Sequence, residues 1–192
     1  ELSASLNFEL EQPYFLVTYH PVTLASEPAK ASFENLLKAL DAFPQHQIIL
    51  TYPNADDGGR EIIPLLEAYA KQQHSRVLAI PSLGQKRYLS AVKHAAAVVG
   101  NSSSGIIEVP SFKVPTVNIG ERQRGRLAAE SVFSCPSNTA AIIETLQLGL
   151  KSDLTQVVNP YGKGKASEAI LKQLKAADLS VVKTFYDLQE ST

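Results

Sequence analysis

Apolar and polar positions along the chain change period repeatedly, and the changes outline an alternation of strands and helices. Short β-branched or apolar runs predict strands at residues 15–19, 47–51, 76–80, 97–100, 115–119 and 131–134. Between them the period turns helical. Phe33, Leu36, Leu37 and Leu40 predict a helix over 29–42. Further helices are expected from the 52–59 turn through about 72, over 85–94, from the 101–105 segment to about 112, and over 139–148. A glycine-rich segment, 159–167, precedes a last helix to about 177 and a polar tail. The first dozen residues read as a polar lead-in to the first strand.

Alternation of this kind marks βαβ units on a parallel sheet. The expected fold is therefore a Rossmann-like, doubly wound α/β domain. Its 192 residues suffice for one well-buried α/β domain and are too few for two of ordinary size. A single domain over 1–192 is expected, with 1–13 as lead-in or hinge and about 178–192 as C-terminal tail.

Charge and composition narrow the partners. The net charge is −1 with no polybasic tail, so the electrostatic footprint of a nucleic-acid-binding protein is missing. No apolar run approaches the roughly 20 residues that cross a bilayer, and no basic segment followed by an apolar stretch opens the chain. The expectation is a soluble, cytoplasmic protein with no membrane partner. Cys135 stands alone, which excludes an internal disulfide framework and a multi-cysteine metal site. A small buried apolar role suits it. The chain starts at Glu1 and contains no Met, which we read as excision of a domain from a longer polypeptide.

In open α/β sheets ligands lie outside the carboxyl ends of the strands, so the loops after each strand are where chemistry is expected. After the fourth strand, Gly100-Asn101-Ser102-Ser103-Ser104-Gly105-Ile106-Ile107-Glu108 passes through small polar residues directly into a helix. Small side chains let an anion approach the backbone, early helical N–H groups point at it, and Ser102 and Ser103 add hydroxyl donors. The plainer reading is a serine that only caps the helix. The segment is neither a Walker loop nor a dinucleotide fingerprint, because the glycine and lysine spacings differ. Glu108, about one turn on, suits two ribose hydroxyls, or else complements the positive helix end.

Arg122, Arg124 and Arg126 follow the fifth strand, and guanidinium forks match phosphate oxygens. One is expected to face an anion and the others to be solvated or paired with Glu121 and Glu130. His20 ends the first strand before Pro21, where it can donate to a phosphate or give up a proton, although a lone histidine is usually structural. Asn54, Asp56 and Asp57 are explained as readily by turn chemistry as by ligand binding. Residues 162–167 are either a second anion nest or a solvated loop.

Taken together, Val17-Thr18-Tyr19-His20-Pro21-Val22-Thr23, Asn54-Ala55-Asp56, the 100–108 segment and Gly120-Glu121-Arg122-Gln123-Arg124-Gly125-Arg126 resemble the C-terminal domain of hydrolysing UDP-N-acetylglucosamine 2-epimerases. The resemblance spans about residues 15–174. Pro21-Val22-Thr23 favours the hydrolysing branch, since the non-hydrolysing enzymes usually carry arginines after the histidine.

The resemblance implies a two-domain GT-B architecture, with substrate in the cleft between Rossmann-like halves and this chain as the second half. His20 would contact the diphosphate and assist departure of UDP. Ser102, Ser103, Ser104 and Gly105 would hold phosphate oxygens, Glu108 the ribose, and Arg122 the diphosphate charge. Asn54 would lie by the nucleotide and Leu83 would border the uracil.

It further implies a glycal-like intermediate, addition of water to give an N-acetylmannosamine-type sugar, and acid/base carboxylates in the missing N-terminal half. The expected partners are UDP and a UDP-sugar, with no metal and no cofactor, in a full-length homo-oligomer of sialic acid or related nonulosonate biosynthesis. Two other readings stay open: the UDP-sugar-binding half of a GT-B glycosyltransferase, and a non-catalytic nucleotide-binding module.

Overall fold

The computed structural model describes residues 1–22, 28–54, 58–162 and 164–178. The chain divides into two compact units, Glu1–Pro160 and Tyr161–Thr192. Six strands make up the sheet of the first unit: β1 (Tyr14–Thr18), β2 (Gln47–Thr51), β3 (Val77–Ile80), β4 (Ala97–Gly100), β5 (Thr116–Ile119) and β6 (Val132–Cys135). They lie in the order β3-β2-β1-β4-β5-β6, and every pairing is parallel. The chain builds outward from β1 to β3, then returns to the other side of β1 at β4. That reversal opens a crevice beyond the carboxyl ends of β1 and β4.

Strand periodicity sorts the core into two layers, because successive side chains point to opposite faces. Phe15 and Val17 of β1, Ile48 and Leu50 of β2, and Ala97 and Val99 of β4 belong to one buried cluster. It is completed by Phe33, Leu36 and Leu40 of α2 (Ala29–Asp41), Ile62 and Leu66 of α3 (Gly59–Gln72), and Ile142 and Leu146 of α6 (Thr139–Lys151). The intervening residues Tyr14, Leu16, Ile49 and Val98 join a second cluster with Ala91 and Val92 of α4 (Gly84–His94). Apolar residues on both faces explain why these strands read as continuous hydrophobic runs.

The expected elements are present with small shifts in their ends, and two regions differ. Residues 2–6 were expected to be a polar lead-in but form α1 (Leu2–Leu6). Leu6 is buried in the second cluster and Leu2 packs against it. Five residues are too few to display a helical period, and this turn exists because it covers sheet surface rather than by propensity. The helix expected to run to about residue 112 is also divided. α5 stops after one turn (Ser104–Ile107), and a 3-10 turn follows at Val109–Phe112. Pro110 has no N–H to donate to Ile106 and disfavours helical geometry at Val109, so the longer helix cannot form.

α6 begins as a capped helix should, with Asn138 accepting from the Ala141 N–H at 2.9 Å. In the second unit α7 (Ala166–Ala176) starts inside the glycine-rich segment and exposes Ile170, Leu171 and Leu174. The expected tail from residue 179 onward lies outside the described residues, as do Thr23, Ala55, Asp56, Asp57 and Lys163.

At the amino end of the sheet, Arg76 closes the turn between α2 and β2. Its guanidinium donates to the carbonyls of Leu40 (2.6 Å), Phe43 (3.2 Å) and His46 (2.9 Å). His46 stacks on Phe15 with ring centroids 4.4 Å apart. Burial, and then repulsion from Arg76, hold the His46 imidazole below its ordinary 6.5. The folded protein thus takes up this proton less readily than the unfolded chain. The stability linked to His46 is complete above about pH 6.5 and falls away as the pH drops through the lowered folded value. Urea titrations between about pH 7.5 and 5 should show a smaller acid-side loss in His46→Gln than in the parent. Equal slopes would contradict this account.

Candidate functional site

The crevice at the switch point is built from the last residues of three neighbouring strands. Thr18 pairs with Thr51 on one side and with Gly100 on the other. The two threonine hydroxyls are 2.7 Å apart, and Thr51 Oγ1 also donates to the Val17 carbonyl at 3.3 Å. Gly100 has φ 135°, and a Cβ there would stand 1.9 Å from the Thr18 carbonyl oxygen. Only glycine lets β4 come this close to β1 and turn into the next loop.

From Gly100 the chain enters the serine segment. Ser103 occupies the N-cap position of α5 but makes no side-chain cap bond, while Ser102 Oγ accepts a long 3.4 Å bond from the Ser104 N–H. Capping therefore does not use up the three hydroxyls. The Ser102 and Ser103 N–H groups meet no acceptor among the described residues. Gly105 packs its backbone on Thr116, where a Cβ would lie 2.7 Å from Cγ2, so the turn sits tight against β5. With only one turn of helix, the macrodipole is smaller than that of a full helix. Any attraction for an anion rests mainly on individual N–H and O–H donors.

A cleft of about 470 Å³ opens above these strand ends. Ser102 of the β4–α5 connection, Ser104 at the start of α5 and Glu108 just after it line one side, and Pro81, Ser82 and Leu83 of the β3–α4 connection and Gly84 at the start of α4 line another. Thr18, Thr51 and Tyr52 line it from the central strands, and Gln85 and Tyr88 from α4. Leu83 also belongs to the second core cluster, so its position is set by packing. Tyr88 Oη and Ser104 Oγ are hydrogen bonded. Burial, and then the neighbouring Glu108 charge, raise the Tyr88 phenol above its usual value against the lowering effect of the Ser104 bond.

Glu108 lies at the C-cap of α5, so it does not complement that helix's positive end. It also begins the 3-10 turn without a side-chain cap bond. Its carboxylate has no hydrogen bond or ion pair among the described residues, and Glu108 lines the cleft.

His20, Asn54 and Arg122 do not line this cleft. They gather beside it around Asn101, which is wholly buried. The His20 N–H donates to Asn101 Oδ1 at 2.7 Å, and Asn101 Nδ2 donates to the His20 carbonyl at 2.8 Å. His20 Nδ1 in turn accepts from the Asn54 N–H at 3.0 Å. From the β5–β6 loop, Arg122 Nη1 and Gln123 Nε2 donate to the Asn101 carbonyl at 3.1 and 2.8 Å. Arg124 pairs with Glu121 at 2.9 Å on the exposed side of the same loop. Of the expected site residues, the structure thus brings Leu83, Ser102, Ser104 and Glu108 into the cleft. His20, Asn54 and Arg122 form the adjoining cluster, Ser103 sits at the N-cap of α5, and Gly105 packs against Thr116.

Sequence reasoning gave no role to Asn101, Gln123, Tyr88, Thr18 or Thr51. Tyr88 looks like any aromatic on an amphipathic helix, and the Asn101 contacts join residues 81 apart in the chain. The 162–167 segment falls partly on Lys163, outside the described residues. Among the described residues no three His, Cys, Asp or Glu side chains are grouped to hold a metal, and no helix is long and apolar enough to cross a membrane.

A parallel sheet in this order, with polar groups gathered at its switch point, defines a Rossmann-like domain of the GT-B class. The chain belongs to the UDP-N-acetylglucosamine 2-epimerase family, whose sequence model matches residues 2–175. It is 38% identical over 138 residues to the GDP/UDP-N,N'-diacetylbacillosamine 2-epimerase (hydrolyzing) of Campylobacter jejuni subsp. jejuni serotype O:2, covering 72% of this chain and 36% of that protein. Polysialic acid biosynthesis protein P7 of Escherichia coli is 35% identical over 187 residues, covering 93% of this chain and 47% of that protein. The chain thus spans less than half the length of these two relatives. The crystal structure of Neisseria meningitidis UDP-GlcNAc 2-epimerase bound to UDP-GlcNAc superimposes with a TM-score of 0.72 at 18% identity, covering 92% of this chain and 48% of that one.

The Gly100 contact supplies a test of how the site is assembled. Gly100→Ala combines a strained φ with a backbone clash and should cost at least about 2 kcal/mol in chemical denaturation. A loss under about 0.5 kcal/mol would show that the two strands do not need this close approach.

Proposed function

We propose that this chain is the UDP-binding half of a hydrolysing UDP-N-acetylglucosamine 2-epimerase, acting on UDP-N-acetylglucosamine or a diacetylbacillosamine-type UDP-sugar. The observation that carries the reading is the switch-point cleft, where serine and threonine hydroxyls and the Glu108 carboxylate come together next to a serine segment with two N–H groups unpaired among the described residues, in a member of this family. Its volume falls within the range of small-molecule sites, about 300–1,000 Å³.

In this reading Leu83 borders the uracil and Glu108 accepts from the two ribose hydroxyls. Ser102, Ser103 and Ser104 donate to the phosphates, and Gly105, whose own N–H is taken by the Ser102 carbonyl at 3.2 Å, adds no side chain beside them. A pyrophosphate that leaves the cleft past Ser102 reaches the neighbouring cluster, where His20 and Arg122 meet its charge and stabilise UDP as it departs. Asn54 lies behind His20 and holds its ring.

Removal and return of the C2 proton need a base within hydrogen-bond reach. Among the described residues the cleft contributes Glu108, which this reading assigns to the ribose, and the reading places the base in the rest of the polypeptide. Water then adds to the intermediate and an N-acetylmannosamine-type sugar leaves. Similarity to the E. coli polysialic acid biosynthesis protein P7 supports a place in nonulosonate formation.

Titration calorimetry on the complete native polypeptide should show saturable UDP binding. Glu108→Ala should weaken it about tenfold or more, the loss expected when a charged hydrogen-bond acceptor disappears. The same polypeptide should release UDP and a mannosamine-type sugar from the UDP-sugar without an acceptor. No heat at millimolar UDP, or unchanged affinity in Glu108→Ala, would overturn the proposal.

A further inference from the structure

We propose that Asn101 is a positioning residue that fixes His20 and Arg122 as one unit beside the cleft, and that this unit gives the site its preference for a nucleoside diphosphate over an uncharged nucleoside. The inference rests on reading the cleft as a UDP site.

Every polar group of Asn101 is engaged. Its N–H donates to the Thr18 carbonyl at 3.2 Å, which extends the β1–β4 pairing by one residue. Its side chain forms a closed pair with the main chain of His20, accepting at 2.7 Å and donating at 2.8 Å. Its carbonyl receives Arg122 at 3.1 Å and Gln123 at 2.8 Å. Asparagine presents an acceptor and a donor side by side at this reach, whereas aspartate lacks the donor when ionised and alanine lacks both. One buried residue therefore carries the loop after β1 and the loop after β5 on the end of β4.

The consequences for the two charge-bearing side chains differ. With the His20 backbone held by Asn101 and Nδ1 accepting from the Asn54 N–H at 3.0 Å, a neutral ring must carry its proton on Nε2. That nitrogen is then a fixed donor. Arg122 is otherwise exposed, and a long side chain of this kind loses much rotamer freedom on meeting a ligand. One N–H held by Asn101 restricts the guanidinium in advance and leaves its other donors for an anion. The hydrogen bonds of Asn101 go to Thr18, His20, Arg122 and Gln123 and not to Leu83 or Glu108, so the groups assigned to the nucleoside are independent of this anchor.

A merely structural asparagine would lower stability and weaken all ligands together. The test compares UDP and uridine affinities of the complete native polypeptide carrying Asn101→Ala or Asn101→Asp, each also combined with the double variant His20→Ala/Arg122→Ala. Expected is a loss of about tenfold or more for UDP with less than about twofold change for uridine. In the His20→Ala/Arg122→Ala background the further loss on replacing Asn101 should be under about twofold, because the groups it positions are already gone. Nitrogen-15 NMR of the His20 ring should also change from the Nε2–H form to a tautomer mixture in Asn101→Asp without any ligand. Asn101→Ser replaces Asn101→Ala if the latter does not fold. Parallel losses for UDP and uridine, an undiminished effect in the combined variants, or an unchanged His20 tautomer would overturn the inference while leaving UDP binding intact. Absence of UDP binding by the parent would remove both.

Discussion

The site depends on how closely β4 approaches β1 at the point where the sheet reverses direction. Gly100 is the residue that permits it, since any Cβ would run into the Thr18 carbonyl. Asn101 follows immediately and converts that closeness into a framework, extending the β1–β4 pairing with its N–H and reaching two other loops with its remaining groups. Buried polar groups are costly when unpaired, and a fully satisfied one rigidifies what it joins. Loops that would otherwise be surface connections are therefore tied to the end of β4 by these bonds.

Around this framework the chemistry divides into two neighbouring parts. The cleft combines a packed apolar residue, Leu83, with serine and threonine hydroxyls and the unpaired Glu108 carboxylate. The adjoining cluster contributes His20 and Arg122. The first part suits a sugar-bearing base and the second suits developing negative charge. Their separation fits our reading of a ligand that has a nucleoside at one end and a departing diphosphate at the other.

Much of the fold was legible because buried parallel strands carry their pattern in contiguous residues. β2 and β4 match the expected 47–51 and 97–100 at both ends. α1 was not legible, because its reason for being helical is the sheet surface under Leu6 rather than its own five residues. The break between α5 and the 3-10 turn was written in Pro110, but the apolar residues Ile106, Ile107 and Val109 before it concealed it. In the site, Ser102, Ser104 and Glu108 stood out as a compact local motif, and the structure places them together. Asn101 lay in the same motif without declaring its role. Its partners come from loops 81 and about 20 residues away, and no periodicity encodes a hydrogen bond of that kind. Tyr88 was hidden similarly, since its hydroxyl meets Ser104 only after α4 and α5 have been brought side by side.

The most direct test of the account is a crystal structure of the complete polypeptide soaked with UDP. The account predicts uracil density beside Leu83, the ribose within hydrogen-bond distance of Glu108, and the pyrophosphate between the serine segment and the His20–Arg122 pair. A nucleotide bound away from the carboxyl ends of β1 and β4 would contradict it.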